Sequence, residues 1–435
     1  MRVLILALGS RGDTQPCAAL ALELARRGHE PTLAAAARYA PLIAAARPAP
    51  PAAAVAAAPP AAAARPAPPA VAAHVPPAGR HGVRFVPLSV DPAAVLDSEE
   101  GRAWLGGGPL GFVRGLRTVV EPLAAELVAE VDAACAGADL VLAPALGAFG
   151  RHLRERHGVP YRILQFQPSE PTGAFPNPLV PVATLGRLGN RASYALVERA
   201  GLLVLRGLMN RLRAGVLGLG PLRGSPFAAD RRARVPVLCG VSPLVVPRPR
   251  DWPGYVHLTG YWRLPGRDVP GELKDFLAAG PPPVFVGFGS MPCPERVAEE
   301  VVAALRLAGL RGVVQGLPVA AADDLLPVGE VAHDLLFPRM AAVVHHGGAG
   351  TTGTALAAGV PGVVCPFFSD QPFWGRRVAA LGAGPPPLPV RRLGRRELAG
   401  RLRAGPEHRE RAARLGRLLR AENGAAVAID LIERH

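Results

Sequence analysis

Two short segments of the sequence carry the residue types from which a catalytic or binding site could be built. The first is GSRGDTQP, residues 9–16, in which Asp13 lies between an apolar run and a helical pattern. A carboxylate there can act as a general base, or it can cap the start of a helix. The tripeptide Arg-Gly-Asp also occurs in adhesion ligands, where it projects from a secreted protein. Its place between a predicted core strand and core helix disfavours adhesion.

The second segment is AAVVHHGGAGTTGTALAAGVPGVVCPFFSDQPFWGRRV, residues 341–378. An apolar run leads to two histidines, and a glycine-rich turn then leads into a predicted helix. Glycines allow the backbone to approach a phosphate, and the free N–H groups at the start of a helix favour an anion. This pattern predicts a diphosphate site. The groups that could contact the diphosphate there belong to His346, Gly348, Gly350, Thr351 and Thr352.

The glycines of this turn also match the dinucleotide-binding pattern GxGxxG, at Gly348, Gly350 and Gly353, but that pattern alone is weak. A nicotinamide-binding domain needs an acidic residue after the next strand for the ribose, and Asp370 could serve. Asp370 is followed at once by Gln371, however, and two adjacent polar groups can hold neighbouring sugar hydroxyls. An NAD(P)-dependent oxidoreductase stays open as the alternative, as does a non-catalytic protein that binds a sugar nucleotide.

Apolar runs alternate with helical patterns along the chain, which predicts an α/β protein with parallel sheets. The first run has no polar residue, as expected for a central strand buried on both faces. Pro16 fits the first turn of the next helix and Gly28 its end, so residues 9–15 are expected to form a loop at the carboxyl end of that strand. Open α/β sheets bind ligands at this edge. The predicted strands are Val3–Leu8, Val83–Pro87, Leu140–Ala143, Tyr161–Phe166, Val284–Phe288, Ala342–His345 and Gly362–Pro366.

Together these motifs resemble the UDP-dependent glycosyltransferases of GT-B fold, and most of all the sterol 3-β-glucosyltransferases and related bacterial natural-product glycosyltransferases. The similar segments are GSRGDTQPCAALALELARRGHEPTLAA, HHGGAGTTGTALAAGVP with PFFSDQPFWG, DWPGYVHLTGYW, PPVFVGFGSM and HDLLFPRMAAVVHHGG. The resemblance implies a GT-B fold, in which two doubly wound Rossmann-like domains face each other across a cleft. The Ala/Pro-rich residues 44–73 depart from the family pattern.

The resemblance also implies the reaction. A sugar, glucose or a deoxysugar, would move with inversion from a UDP- or dTDP-sugar to a hydroxyl of a hydrophobic acceptor such as a sterol-like lipid or a polyketide. Neither a metal nor another cofactor is required. Asp13 matches the catalytic base of the family, and its loop would face the cleft between the domains.

The same resemblance assigns residues around the donor. Asp370 and Gln371 match the residues that hold the hydroxyls of the donor sugar, and His333 falls near the segment that binds the nucleoside. Trp374 is expected to pack beside the sugar, and His345 to point away from His346 into the interior. The residues expected at the diphosphate are Ser290, His346, Gly348, Gly350, Thr351 and Thr352.

A chain of 435 residues is long enough for two domains. We expect an acceptor-binding domain over residues 1–238, with a mobile surface insertion at 44–73. An ordered connection over 239–275 then leads to a nucleotide-sugar-binding domain over 276–435. Five cysteines without a CxxC pair indicate neither a disulfide framework nor a zinc site. No apolar run approaches the ~20 residues of a membrane-spanning helix, and a cytoplasmic protein is expected.

The formal net charge is +15, and Lys274 is the only lysine, so the basic residues are almost all arginine. Coding bias of a GC-rich genome accounts for part of this charge. The rest favours phosphorylated ligands and anionic membranes over nucleic acid, because no aromatic residues interleave with the basic ones. Residues 391–420 hold eleven arginines, with leucines at helical spacing. They predict either a packed C-terminal helix or a peripheral contact with the inner face of an anionic membrane.

Overall fold

The computed structural model describes residues 1–45, 82–91, 94, 121–266, 268–289, 291, 293–403 and 406–434. Within these ranges the strands form two separate sheets, and every neighbouring pair is parallel. The strands are β1 (Arg2–Ala7), β2 (Glu30–Ala36), β3 (Arg84–Leu88), β4 (Leu140–Pro144), β5 (Tyr161–Gln165), β6 (Val237–Cys239), β7 (Val256–Leu258), β8 (Val284–Gly287), β9 (Gly312–Gln315), β10 (Leu325–Val328), β11 (Ala342–His345) and β12 (Gly362–Val364).

The two sheets have the same winding. The first has the strand order β3-β2-β1-β4-β5-β6-β7, and the second has the order β10-β9-β8-β11-β12. In each sheet the chain winds in one direction from a central strand and then returns to build the other half. This is the Rossmann-like order, with the switch point between β1 and β4 in the first sheet and between β8 and β11 in the second.

Helices connect the strands and cover the sheets. Alternate residues of β1 belong to two different hydrophobic clusters: Val3 and Ile5 pack in one, Leu4 and Leu6 in the other. The strand is therefore buried on both faces, as its sequence predicts. The described helices are Arg11–Arg26, Ala40–Ala45, Glu121–Ala134, Phe149–His157, Gly186–Gly215, Pro226–Arg232, Gly271–Ala278, Glu295–Ala308, His333–Leu336, Ala349–Ala358, Gln371–Ala380, Arg395–Leu402, Pro406–Ala421 and Gly424–Glu433.

All seven predicted strands are present, with ends that differ by at most two residues. The sequence did not predict β2, β6, β7, β9 and β10. These strands are short or contain Gly, Pro or alanine runs with low intrinsic β-propensity, and their pairing depends on the neighbouring strands. Pro327 of β10 is tolerated because β10 is an edge strand, where a missing N–H leaves no gap in the ladder.

The ends of the domains differ from the predicted ones. β7 pairs with β6, so the first sheet extends to Leu258, inside the predicted connection 239–275. The last helix, Gly424–Glu433, lies in the predicted second domain but packs on the first, where Ile429 and Ile432 join the cluster that contains Leu24. The apolar side of this helix is thus buried in the core of the first domain. Hydropathy shows that a helix has an apolar side, but not which core buries it.

Three other expectations concern the whole chain. Most of the predicted insertion, residues 46–73, lies outside the described residues; Ala44 and Ala45 end the helix Ala40–Ala45. The described helices include none that is both long and apolar enough to span a bilayer. All five cysteines lie in described segments and are free thiols, four of them buried and Cys293 partly buried.

Candidate active site

The helix that carries Asp13 begins earlier than the sequence suggested. It starts at Arg11, so residues 11–15 form its first turns and the predicted loop shrinks to the two or three residues before it. Ser10 is the N-cap, because its Oγ accepts from the Gly12 N–H at 3.3 Å. Asp13 in turn accepts from the Ser10 N–H at 2.9 Å, which completes a capping box. The alternative that Asp13 is itself the N-cap is wrong, and Pro16 lies within the helix instead of in its first turn.

The carboxylate of Asp13 folds back over Gly9. A Cβ atom at position 9 would overlap Asp13 Oδ2, so only glycine leaves room for this arrangement. Burial raises the pKa of Asp13, the hydrogen bonds from Ser10 oppose that effect, and the negative charge of Asp370 raises it further. Asp370 belongs to the second domain, so these two carboxylates come from different domains and are near enough for their charges to interact. A carboxylate with a raised pKa is a better proton acceptor than an ordinary one.

A glycine turn follows β11 and opens the helix Ala349–Ala358. Gly347 has φ 94°, and a Cβ there would lie 2.7 Å from Val364 Cγ1. Both the backbone conformation and the lack of space therefore require glycine at this position. Gly348 is the N-cap residue, and no described side chain caps the helix start. Gly350 is exposed, and beyond its chain neighbours and the backbone of its own helix no described atom lies within 4 Å of where its Cβ would be. The N–H groups of this helix start are therefore accessible to an anion.

His346 lies against this turn. Its ring is close to two glycines: a Cβ at Gly348 would be 2.5 Å from Nε2, and one at Gly289 would be 3.2 Å from Cε1. Burial lowers the pKa of His346 to about 4, so the imidazole is neutral at neutral pH. In the described chain its Nδ1 is buried and has no hydrogen-bond partner. His346 can therefore offer a ligand an N–H group but not a positive charge.

His345 points the other way, as predicted. It is fully buried, and its Nδ1 accepts from the Gly347 N–H at 3.2 Å. Since burial lowers the pKa of His345 to about 3, the ring stays neutral and keeps the lone pair that this hydrogen bond requires. His345 thus holds the turn that carries His346 and Gly348.

The remaining predicted diphosphate contacts differ among themselves. Thr351 is partly exposed in the first turn of the helix, where it can reach a ligand. Thr352 is fully buried with the apolar face of the same helix, and among the described atoms its hydroxyl has no partner. In this conformation it does not reach a ligand, because the helical rotation of 100° per residue turns it inward. Ser290 lies outside the described residues.

The predicted sugar-binding pair follows β12. Asp370 immediately precedes the helix Gln371–Ala380, and its Oδ2 accepts from the Trp374 indole N–H at 2.7 Å. Burial raises the pKa of Asp370, and the hydrogen bond from Trp374 opposes that effect. Gln371 is buried, and its Oε1 accepts from the Phe367 N–H at 2.7 Å. The Gln371 amide oxygen is thus held by the backbone of its own loop, and it would have to turn to bind a sugar.

His333 lies at the same edge of the second sheet, on the side of β9 and β10. Its ring stacks on Phe337 with centroids 4.5 Å apart, and its Nε2 lies 2.9 Å from Gln315 Oε1. Burial lowers the pKa of His333 to about 4, and Arg11 adds to the effect. The ring is therefore neutral, and its stacking and hydrogen bond fix it in place.

Contacts between the domains bring the two halves of the site together. The helix Arg11–Arg26 contacts the helix Ala349–Ala358, and Arg11 forms an ion pair with Glu330 at 2.9 Å. Both helices begin at the switch points of their sheets, which face each other. The described residues contain no group of three or more His, Cys, Asp or Glu side chains that could hold a metal ion.

Comparison with known proteins shows the family to which the chain belongs. The family described as Erythromycin biosynthesis protein CIII-like, C-terminal domain, matches residues 290–428. Over its full length the chain is 34% identical to O-mycaminosyltylonolide 6-deoxyallosyltransferase of Streptomyces fradiae and covers 97% of that protein. The chain belongs to this family of glycosyltransferases.

Two further comparisons agree with this assignment. The glycosyltransferase is 31% identical to Sterol 3-beta-glucosyltransferase UGT80B1 of Arabidopsis thaliana, over the whole chain and 68% of the plant protein. The structure of glycosyltransferase VinC in complex with dTDP superimposes with a TM-score of 0.61, at 19% identity, over the whole chain and 99% of VinC. These matches confirm the predicted GT-B fold. They lend no support to the oxidoreductase or the non-catalytic alternative.

Sequence reasoning missed several residues of this glycosyltransferase site. Ser10 could have been found, because Ser10-x-x-Asp13 has the spacing of a capping box. Gln315 could not, since β9 was not predicted and a glutamine at a strand end carries no pattern of its own. The hydrogen bond between Trp374 and Asp370 has no sequence pattern that could have predicted it.

Proposed function

We propose that this glycosyltransferase moves a sugar from a UDP- or dTDP-sugar to a hydroxyl group of a hydrophobic acceptor, with inversion at the anomeric carbon. One observation carries the proposal. Asp13 and Asp370 come from the carboxyl ends of strands in different sheets and are close enough for the charge of Asp370 to raise the pKa of Asp13. A sugar held by Asp370 would then lie beside a base.

Asp13 is the proposed base. Its carboxylate accepts the proton of the acceptor hydroxyl while the acceptor oxygen forms a bond to the anomeric carbon. The bond from that carbon to the diphosphate oxygen breaks, and its electron pair leaves with the diphosphate. The reaction requires the base within about 2.6–3.2 Å of the hydroxyl, on the face of the sugar away from the diphosphate.

The start of the helix Ala349–Ala358 is the proposed site for the diphosphate. Its uncapped N–H groups and dipole, equivalent to roughly half a positive charge, stabilise the negative charge that develops on the leaving group. Thr351 can add a hydroxyl donor from the first turn. His346 is neutral, so its support is one N–H hydrogen bond instead of a full charge. The donor needs no metal for this arrangement to act.

The substrate classes rest on the relatives. The name of the Streptomyces fradiae relative specifies a 6-deoxyallose donor sugar and a mycaminosyl-tylonolide acceptor, and the plant relative acts on sterols. Several structural neighbours were solved with thymidine diphosphate. A glucose or deoxysugar donor and a bulky apolar acceptor with a hydroxyl are therefore the substrates that we propose.

A peripheral contact with an anionic membrane belongs to the same proposal, because such acceptors partition into bilayers. Parts of residues 391–420 have structural partners: Arg395 pairs with Glu300, and Arg420 donates to the Ala357 carbonyl. Leu419 is buried, while Leu418 is half exposed on the outer side of the same helix. The exposed side of that helix, which also carries Arg414 and Arg417, is the surface proposed to meet a membrane.

A matrix of donors and acceptors tests the proposal. UDP-glucose, dTDP-glucose and a dTDP-6-deoxysugar are each incubated with a sterol and with a macrolide aglycone, and products are identified by mass spectrometry. We expect a mass gain of one sugar in at least one pair, and none with Asp13→Asn. Donor binding without transfer or hydrolysis across the matrix would favour a non-catalytic protein, and thermal stabilisation by NADH alone would restore the oxidoreductase.

A further inference from the structure

Trp374 lies behind the proposed sugar site, in the first turns of the helix Gln371–Ala380. Its side chain is fully buried, and its indole N–H donates to Asp370 Oδ2 at 2.7 Å. A hydrogen bond to an ionised carboxylate is shorter and about twice as strong as one between neutral groups. Because the indole is held by packing on all sides, this bond fixes the orientation of the carboxylate.

The backbone around Asp370 is unusual in a way that serves this bond. An aspartate just before a helix normally accepts from the N–H groups of the first turn. Asp370 occupies that position, yet its side chain makes no such cap. Besides Trp374, the Ser369 side chain and the Asp370 backbone N–H also interact with the carboxylate and lower its pKa. The preceding residue, Ser369, has φ 60°, which costs a residue other than glycine about 1 kcal/mol or more. A cap is missing and the backbone is strained, and the carboxylate is instead directed to Trp374.

The direction of the carboxylate matters because Asp370 is the residue proposed to hold the hydroxyls of the donor sugar. Strained backbone of this kind persists where the surrounding structure imposes it, and it concentrates at functional sites. Trp374 belongs to a buried apolar cluster that also contains Cys239, Val245 and Leu356, and this cluster accounts for its burial. Packing does not account for an indole N–H that donates to a carboxylate left free of the N–H groups of its first helical turn.

We propose that Trp374 is a positioning residue for the donor sugar, whose indole N–H fixes the Asp370 carboxylate in the orientation that accepts hydrogen bonds from sugar hydroxyls. Trp374 itself does not touch the sugar. The inference rests on the proposed function, since it requires that Asp370 binds the sugar of a nucleotide-sugar donor.

Trp374→Phe tests this role, with Trp252→Phe as the matched control. Trp252 is also buried and also donates its indole N–H, to the Glu170 carbonyl, but it belongs to the first domain. Both variants lose the same atoms and one hydrogen bond, and both should melt at a lower temperature. We expect Trp374→Phe alone to raise the KM for UDP-glucose by about tenfold or more, the effect of one hydrogen bond to a charged group. Its affinity for UDP should stay within about twofold of wild type.

The comparison between UDP and UDP-glucose separates positioning from general damage. If Trp374→Phe weakens the binding of UDP and of UDP-glucose equally, or weakens neither, the proposal is overturned. Asp370→Asn distinguishes its failure from that of the proposed function. If Asp370→Asn weakens UDP-glucose and Trp374→Phe does not, only the positioning role fails. If Asp370→Asn leaves UDP-glucose affinity unchanged, the proposed sugar site fails.

A measurement on the wild-type protein covers the case in which Trp374→Phe does not fold. The sequence has four tryptophans, so a spectrum of ¹⁵N-labelled protein contains four indole N–H signals. Trp104→Phe, Trp252→Phe and Trp262→Phe variants assign three of them by their loss, which leaves the fourth signal to Trp374. We expect UDP-glucose to shift the Trp374 signal and UDP alone to leave it in place. If both ligands shift the same signals equally, Trp374 does not sense the sugar.

Discussion

Asp13→Asn separates the capping role of this carboxylate from its proposed role as the base. Asp13 accepts from the Ser10 N–H in a capping box, and we propose that it also accepts the proton of the acceptor hydroxyl. An asparagine keeps a side-chain oxygen for Ser10 but cannot take a proton. Alanine would also lose the cap partner, at a cost of about 1 kcal/mol. The amide variant therefore removes the chemistry and keeps the helix start.

The expected loss of turnover follows from the step that is removed. General-base assistance contributes about 10²–10⁴-fold, which corresponds to roughly 3–5 kcal/mol in the activation barrier. Donor affinity should not fall, because Asp13 lies on the acceptor side of the sugar. In the wild type, kcat should decline on the acid side at a pH above the ordinary aspartate value of about 3.9, since the pKa of Asp13 is raised.

The same raised pKa predicts the sign of the stability change. An acid whose pKa is higher in the folded state than in the unfolded state destabilises the fold once it ionises. Its favourable contribution to the free energy of unfolding is therefore lost as the pH rises through the folded-state pKa. Asp13→Asn should accordingly melt at a higher temperature than wild type at neutral pH, and the two melting temperatures should converge near pH 4. The control is Asp139→Asn: pairing with Arg2 lowers the pKa of Asp139 to about 2, so this variant should lose a little stability and no turnover.

The assays are initial rates with saturating UDP-glucose, UDP titration by calorimetry, and thermal melting from pH 4 to 8. Turnover within a few-fold of wild type would leave Asp13 as a helix-capping residue and would refute the reasoning. A neutral-pH melting temperature below that of wild type would show instead that the ionised carboxylate stabilises the fold.

Three further predictions concern the phosphate turn and the C-terminal surface. Gly348→Ala places a methyl group 2.5 Å from His346 Nε2, and it should weaken UDP binding about tenfold with little change in melting temperature. The control Gly400→Ala lies in open space on another helix and should change neither UDP binding nor the melting temperature. His345→Leu leaves the buried Gly347 N–H unpaired and should weaken UDP binding by about tenfold, while His345→Asn, which keeps an acceptor, should retain most of it; equal effects would exclude the hydrogen bond as the cause. Co-sedimentation with vesicles should require anionic lipid and fall with salt and with Arg-to-Gln changes in residues 391–420; binding to neutral vesicles alone would contradict the membrane contact.

The sequence predicts the fold well because its central strands carry a strong signal. Uninterrupted apolar runs such as β1 and β11 are buried on both faces, and the predicted positions agree with the structure. Strands such as β6 and β10 are short and depend on pairing with neighbours that only the fold provides. The last helix, Gly424–Glu433, was assigned to the wrong core for the same reason, since its partner residues lie 400 positions earlier.

The sequence predicts the position of a candidate site residue where its residue type and its spacing from neighbouring motifs agree. It does not predict the direction in which the side chain points. Asp13, His346 and Asp370 lie at the edges that the motif analysis expected. Thr351 and Thr352 are adjacent residues of the same type, yet Thr351 is partly exposed and Thr352 is fully buried. Gln371 shares a motif with Asp370, but its amide is occupied by the backbone of its own loop. Side-chain direction depends on tertiary contacts that no local pattern contains.

The contacts of the helix Arg11–Arg26 show how the base and the diphosphate site are kept in register. At its carboxyl end, Arg27 pairs with Asp430 at 2.5 Å and with Glu433 at 2.9 Å, which ties it to the last helix of the chain. The same helix contacts Ala349–Ala358, whose start is the proposed diphosphate site. The position of Asp13 relative to the leaving group therefore depends on both contacts, and neither sheet provides it alone. The return of the chain to its first domain thus serves the reaction as well as the core, because it holds the element that carries the base.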